Sequence, residues 1–494
     1  MSDQQSVGSR ITEFQLYIDG EWVDSVGGDT RRVRSPASGE QIATCPDGTR
    51  EDAQRAIDAA RAAQSGLEQM TAFERAALCD DLADVVEQHH EELTEWLAMD
   101  QGKPLPEAED EVDLVVTTLR DAGEHAKRAE TDVIPSRHPD KRIQTIRKPH
   151  GVYGVITPWN YPLGTAIEYL AHGLAIGNAV AWVPAPTTTA VCAKFVEVLD
   201  ETDLPAGALN LVAGEGPIVG NELVVNDGTD AIAFTGSPET GELIAEDAGT
   251  KPTVLELGGN GPVIVLDDAN LDLAVECVGN GCFTNAGQIC TASERILVHE
   301  AVKDAFVERI AADAEEIQLG DPFDDDTDMG PLNNADVAAK MDRHVEDAVE
   351  KGATVVTGGN RAHDRPTDLY YQPTVLDDVT TEMVVNEEES FGPIAPVVTV
   401  SDREEALKLA NSIDYGLSMG VFTDSINNME YFIRRLESGM ININDTSAYW
   451  EPHTPAGGYS GKKSGHGRYG GTFTIEEMSQ VINVTIGPGE RENV

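Results

Sequence analysis

The sequence predicts an α/β protein of two or three domains, and three observations lead there. The chain has 494 residues, more than one ordinary hydrophobic core accommodates. From residue 150 onward, short apolar runs alternate with helical segments, the rhythm of βαβ units and of a parallel sheet covered on both faces. A second series of the same kind begins near residue 262.

Residues 51–128 read as helices; from Arg50 to Ala63, for instance, Ala, Ile and Ala recur at helical spacing. Residues 131–149, DVIPSRHPDKRIQTIRKPH, alternate polar and apolar around a Pro-Asp turn, the pattern of a protruding hairpin. The tail SQVINVTIG at 479–487 reads as another exposed strand. Edge strands are normally paired or covered, so the two segments are expected to join as an oligomer arm, a solvated hairpin being the alternative. The first βα series has strands at VYGVIT, NAVAWV, LNLVAG, AIAFTG, TVLEL and PVIVLDD, with LGTAIEYLAHGLAIG, TTTAVCAKFVEVLDE and PETGELIAEDAG between them. The second has strands at RILVHE, ATVVTGG, APVVTVSD and MGVFTD, and helices at 302–317, 335–351, 402–411 and 425–436.

Composition narrows the function classes. The formal net charge is -52, from 35 basic and 87 acidic residues. Such a polyanion repels phosphate backbones and anionic membrane surfaces, so neither nucleic acid nor membrane is expected as a partner. The acid is spread along the chain, at 51–52, 107–113, 321–328 and 386–389, as on a halophilic surface where concentrated salt screens the self-repulsion. Six cysteines without a CxxC pair form neither a disulfide scaffold nor a zinc site. The opening MSDQQSVGSRITEF has no apolar core of a signal peptide, and no 18-residue apolar run exists. A cytoplasmic protein is the expectation.

The chemistry concentrates in a few stretches. TNAGQICTASER (284–295) sets Cys290 among Gly, Gln, Thr, Ala and Ser, a nucleophile's surroundings rather than those of a core thiol. TVLELGGN (253–260) places Glu256 inside an apolar strand, where it is either a base with a raised pKa or the partner of a nearby cation. VITPWNYPL (155–163) holds Asn160 between Pro158 and Pro162, as an oxyanion donor or as an Asn that satisfies its own turn. AFTGSPETG (233–241) has Gly236 and Gly241 around Ser237 at a strand-to-helix junction, a phosphate site or a plain turn.

VITPWNYPL, FTGSPETG, LELGGN, FTNAGQICTA, GDPFDDDTDMGPL and EEESFGPIAPV occur in that order. With these motifs the chain resembles the NAD(P)-dependent aldehyde dehydrogenase superfamily from about residue 16 to 485, as a halophilic-type acidic member of its hydrolytic, non-acylating branch. The resemblance implies a Rossmann-type nucleotide-binding domain (16–130 and 150–257, with a return segment 446–474), an α/β catalytic domain (258–445) and a small β oligomerisation arm (131–149 and 475–494) in a homodimer or homotetramer. It implies that Cys290 is the nucleophile, Glu256 the general base, and Asn160 with the Cys290 backbone N–H the oxyanion hole. Glu389 would bind the nicotinamide ribose with Phe391 packed beside it, and Gly236 and Ser237 would meet the pyrophosphate. Ile156, Thr157, Pro158, Trp159 and Gly241 complete the implied cofactor-binding set, and no metal is implied. Cys277 and Cys282 read as helix-face or core residues.

Two departures from the family pattern matter. Val183 and Pro186 stand where the family has the Lys and Glu that hold the adenosine ribose, so the cofactor is NAD or NADP, with Thr187 and Thr188 as substitute hydroxyl donors. Glu168 stands where succinate semialdehyde oxidisers carry Arg, and an acid facing the substrate tunnel would repel a carboxylate. That favours a neutral or hydroxy-aldehyde. The alternatives are a succinate- or 2-oxoglutarate-semialdehyde dehydrogenase, a coenzyme A-acylating relative, or a non-catalytic protein on the same fold; the presence of Glu256 speaks for hydrolysis.

The acidic surface carries a prediction. Transfer from molar KCl to dilute buffer should lower the thermal unfolding midpoint followed by circular dichroism, and an unchanged midpoint would remove the halophile reading.

Overall fold

The apolar runs pair into two large sheets, and the expected α/β class holds. The protein is described here by a computed structural model covering residues 11–488. The opening decapeptide and the last six residues of the expected arm lie outside the described residues.

Four helices, Arg50–Gln69, Ala72–Gln88, His90–Gln101 and Leu105–Lys127, occupy the stretch expected to be helical. Capping boxes fix the first two starts: Thr49 with Asp52, and Thr71 with Glu74. Gly102 in a left-handed conformation ends the third, and Pro104 precedes the fourth.

The first sheet has eight strands. Its five central strands are parallel, in the spatial order Thr253–Leu257, Ala231–Gly236, Val152–Ile156, Ala179–Val183 and Leu209–Leu211. The chain builds outward from Val152–Ile156, first to one side and then to the other. The order therefore reverses between Val152–Ile156 and Ala231–Gly236, and a ligand crevice opens at the carboxyl ends of such a pair. Leu16–Ile18 and Glu21–Val23, not anticipated from the sequence, extend one edge antiparallel, and Gly465–His466 closes the other.

The second sheet has seven strands, in the order Thr354–Thr357, Thr374–Asp377, Ile394–Val400, Ser293–His299, Gly261–Val265, Ser418–Phe422 and Met440–Ile443. The PVIVLDD run, grouped by rhythm with the first series, is a central strand of this sheet. The reason lies in LELGGN: one strand ends at Leu257, and after three residues the next begins in the other sheet at Gly261. The helices expected at 302–317, 335–351, 402–411 and 425–436 are Lys303–Glu316, Ala335–Glu350, Arg403–Ala410 and Ile426–Ile433.

The 131–149 segment forms a hairpin, Val133–Ile134 against Arg142–Pro149, and the tail strand Ser479–Ile486 pairs along the full length of the latter. A short sheet of Thr12–Glu13, Gln41–Pro46 and Thr30–Arg34 lies apart from the others. No helix among the described residues is long and apolar enough to cross a membrane.

Candidate active site

A cleft of about 920 Å³ opens at the strand-order reversal, within the size range of small-molecule and cofactor sites. Cys290, Glu256 and Asn160, about 130 residues apart at the extremes, all line it, together with Pro158, Trp159, Gly236, Ser237, Glu389 and Phe391. Ile156, Thr157 and Gly241 sit behind this wall. The Thr157 hydroxyl accepts from Trp182 Nε1 at 2.8 Å. Gly241 lets helix Pro238–Asp247 lie on the sheet, since a β-carbon there would overlap the Leu257 side chain.

The loop that carries the thiol is strained. Asn285, Ala286 and Gly287 have φ of 50, 53 and 72°, three successive residues in the left-handed region. An alanine there costs roughly 1–2 kcal/mol. Gly287 has no alternative, because a β-carbon would overlap the Gly392 carbonyl. The conformation is held by buried hydrogen bonds. The Glu107 carboxylate accepts from the Asn285 N–H at 2.9 and 3.1 Å, and Gln101 Nε2 donates to Asn285 Oδ1 at 3.0 Å. Gln288 donates to the Asn285 carbonyl and accepts from the Asn333 N–H, each at 2.8 Å.

Asn160 is nearly buried, and its Nδ2 donates to the Gln288 carbonyl at 2.9 Å. One N–H fixes the amide, and the second is free to be aimed at an oxyanion beside Cys290. The Asn160 carbonyl accepts from Lys103 Nζ at 3.2 Å and from Asn285 Nδ2 at 3.1 Å. Lys103 pairs with Glu111 at 2.6 Å with both side chains fully buried, and lies 3.7 Å above the Tyr161 ring. Glu111 also accepts from the Leu163 and Gly164 N–H groups at 2.9 Å each, capping helix Gly164–Ile176, which has no side-chain cap of its own.

Glu256 is 2% exposed, with Oε1 unpartnered, and the Cys290 thiol and the Thr235 hydroxyl are its polar neighbours. Burial pushes its pKa up to about 8. The Cys290 thiol is pushed well above its ordinary value, first by burial and then by the Glu256 charge. Burial and a neighbouring carboxyl both disfavour the thiolate, and that carboxyl can take the thiol proton. Backbone contact makes the pairing possible: a β-carbon on Gly259 would overlap the Cys290 carbonyl, so only glycine lets the two segments meet.

The opposite wall suits a dinucleotide. Glu389 accepts from the Gly259 N–H at 2.9 Å, and burial raises its pKa to about 7 against the pull of Lys340. Gly258 leaves a cradle beside that carboxylate which a β-carbon would fill. Phe391 holds φ at 57° and meets Trp159 edge-on, with ring centroids 5.4 Å apart. Buried Glu294 secures this turn by accepting from the Ser390 and Phe391 N–H groups, the latter at 2.7 Å. Ser237 caps helix Pro238–Asp247 and is exposed at the cleft. At the far end Pro186 and Thr187 line the wall, but Val183 is a core residue and Thr188 is fully buried, so of the two threonines only Thr187 can meet a ligand.

Glu168 lies in the wall and is 2% exposed, with Oε1 3.4 Å from the Thr118 hydroxyl and Oε2 unpartnered. Burial raises its pKa to about 8, which disfavours the charged form and weakens the repulsion expected of a charged acid there.

Lys103, Glu107, Glu111, Gln288 and Glu294 were not singled out from the sequence. QGKPLPEAEDE resembles a solvated acidic helix start, and nothing local marks which of its charges turn inward.

The chain was compared with known proteins. The model of the "Aldehyde dehydrogenase family" matches residues 22–484. The alpha-ketoglutaric semialdehyde dehydrogenase of Bacillus subtilis (strain 168) is 37% identical, over 97% of this chain and 100% of the relative. Among solved structures, an NADP dependent enzyme of E. coli superposes with a TM-score of 0.94 at 34% identity, over 97% of this chain and 98% of that one. A betaine aldehyde dehydrogenase from Staphylococcus aureus in complex with NAD+ gives 0.93 at 35% identity, over 97% and 96%.

The Lys103–Glu111 pair yields a stability prediction. Lys103→Met leaves a buried carboxylate without its cation and should cost about 3–5 kcal/mol, read from urea unfolding in molar KCl.

Proposed function

The chain belongs to the aldehyde dehydrogenase family and is an NAD(P)-dependent aldehyde dehydrogenase, and from that premise we propose that Cys290, Glu256 and Asn160 carry its chemistry. The observation that carries the assignment is their convergence on one cleft, with the Glu256 carboxyl facing the thiol.

The Cys290 sulfur attacks the aldehyde carbon while Glu256 takes the thiol proton, giving a thiohemiacetal. The oxygen of that intermediate lies against the free N–H of Asn160 and the Cys290 backbone N–H. NAD or NADP, when bound, accepts the hydride released from that carbon. The donor and acceptor set fits it: Glu389 and Phe391 at the nicotinamide end, Trp159 and Ser237 along the middle, and Thr187 at the far end. In the resulting thioester, water adds to the carbonyl carbon as Glu256 removes its proton. The carbon–sulfur bond then breaks, releasing the acid and a thiolate that regains its proton.

The finer substrate reading is a neutral or hydroxy-aldehyde. Among the described residues of the wall the cations are Lys340 and Arg343; Lys340 lies near the Phe391 ring and Arg343 pairs with Glu388. Around Cys290 the wall offers Tyr161, Tyr169, Trp450, Tyr469, Thr284 and Thr446, apolar and hydroxyl groups with no counter-charge for a carboxylate. The molecule acts as a homodimer or homotetramer through the 131–149 and 475–494 arm, a reading supported by exposed Val133, Ile134, Val481 and Ile486 on that sheet. The segments 16–130, 150–257 and 446–474 serve nucleotide binding, and 258–445 carries the nucleophile. Six cysteines, all free, fit a reducing compartment, which supports the cytoplasm.

In molar KCl, a panel of aldehydes with NAD and NADP in turn should give reduced cofactor and free acid, with neutral substrates ahead of carboxylated ones in kcat/KM. Cys290→Ala should abolish the signal, and Asn160→Ala should lower kcat by roughly 10²–10³-fold. Glu256→Gln should release no more than one equivalent of reduced cofactor and then stall at the thioester; undiminished turnover would refute the base assignment.

The raised pKa of Glu256 also sets a pH signature. The base works ionised, so kcat should rise with pH through about 8 when hydrolysis limits turnover. For stability the sign is opposite. A carboxyl raised from 4.5 to about 8 in the folded state contributes stability that is full below the lower value and lost as pH climbs through the upper one. Glu256→Gln should therefore melt higher than the parent at about pH 9, with the difference closing toward about pH 4.

A further inference from the structure

Glu256 has neighbours of very different kinds on its two sides in the sheet. Its register partner on strand Gly465–His466 is Gly465, which has no side chain. Its partner on the parallel strand Ala231–Gly236 is Thr235, whose side chain stands on the same face. Thr235 Oγ1 is in turn 2.9 Å from the Tyr169 hydroxyl, on helix Gly164–Ile176. Tyr169, Thr235 and Glu256 are all buried and all line the cleft beside Cys290.

Each of these hydroxyls has one proton to give. An ionised Glu256 can only accept. Glu256 Oε1 has no hydrogen-bond partner in the structure; the arrangement that would satisfy it is Tyr169 O–H donating to Thr235 with the Thr235 O–H turned to Glu256. Reversed, with Thr235 donating to Tyr169, a buried carboxylate would face two oxygen lone pairs. The Tyr169 proton thus fixes the direction of the Thr235 proton.

We propose that Tyr169 is a positioning residue which, acting through Thr235, holds Glu256 in its ionised, water-activating state during thioester hydrolysis. This rests on the reading of Glu256 as the general base. The other titratable groups around Glu256 are the Cys290 thiol, the Glu389 carboxylate and the Tyr469 hydroxyl. None of them brings a positive charge, so the hydroxyl chain opposes both burial and a second carboxylate. Removal of one link leaves the proton on Glu256 to higher pH, so both steps that need the ionised carboxylate, thiol deprotonation and water activation, move to higher pH together.

The test uses the full-length enzyme in molar KCl with NAD or NADP and whichever aldehyde it oxidises, from about pH 6 to 10. In Tyr169→Phe, the single-turnover burst of reduced cofactor should still reach one equivalent at high pH, with the acid limb of its rate moved up because Glu256 takes the Cys290 proton only at higher pH. The acid limb of steady-state kcat should move up by about one pH unit, which is about tenfold lower turnover on that limb, and recover at high pH. Thr235→Val should reproduce the shift, Thr235→Ser should restore the parent profile, and combining Tyr169→Phe with Thr235→Val should add nothing further. An unmoved acid limb in both Tyr169→Phe and Thr235→Val, or an equal loss at every pH, overturns the proposal. Glu256→Gln with undiminished turnover overturns instead the base assignment beneath it, so the two failures are distinguishable.

Discussion

Lys103 and Glu111 meet in a fully buried ion pair, and the 160–164 segment of the cleft wall hangs from it. Such a pair is not a cheap source of stability, because each charge must be stripped of water. What it supplies here is direction. Lys103 reaches the Asn160 carbonyl, and Glu111 caps the helix that follows Pro162. Without it the Asn160 carbonyl would keep only the Asn285 Nδ2 donor. Eight residues separate the pair, and the break at Gly102–Pro104 turns the helix so that both point inward.

The same helical region reaches the loop that carries Cys290. Glu107 and Gln101 hold Asn285, so the donor and the thiol are referenced to one rigid element. The three left-handed residues before Gln288 would relax if released. Their cost is offset by buried hydrogen bonds and by backbone packing of Gly287 on Gly392 and of Gly259 on Cys290. Preorganisation of this kind lets a weak donor such as an amide N–H act on an oxyanion without rearrangement.

The electrostatics follow from dryness rather than from positive charge. Glu256, Glu389, Glu294 and Cys290 share one region, and burial raises all four, with the like charge of a neighbouring carboxylate adding to the rise in most of them. A thiol and a carboxyl that both favour protonation exchange a proton readily with an incoming substrate or water. The seam between the sheets creates this setting. Glu256 is the penultimate residue of its strand in the first sheet, and the chain crosses at Gly258–Asn260 into the second. There Gly261 pairs with Ser293, three residues after the nucleophile.

By itself the sequence determined the α/β class, the helical region before residue 130 and most strands, and it singled out Cys290, Glu256 and Asn160 as candidates. Those signals are local: periodicity, a lone acid in an apolar strand, an amide between prolines, a thiol among small residues. Tertiary structure alone decided which sheet PVIVLDD joins, because an apolar run carries no mark of its neighbours. It decided that Glu168 is buried, which disfavours its charge, and that Thr188 is out of reach, because exposure belongs to packing. It decided that Lys103, Glu107, Glu111 and Glu294 face inward, because their codes match those of the acidic surface. The physical reason is one: residue type fixes what a group can do, but desolvation and pairing depend on segments brought together from far along the chain.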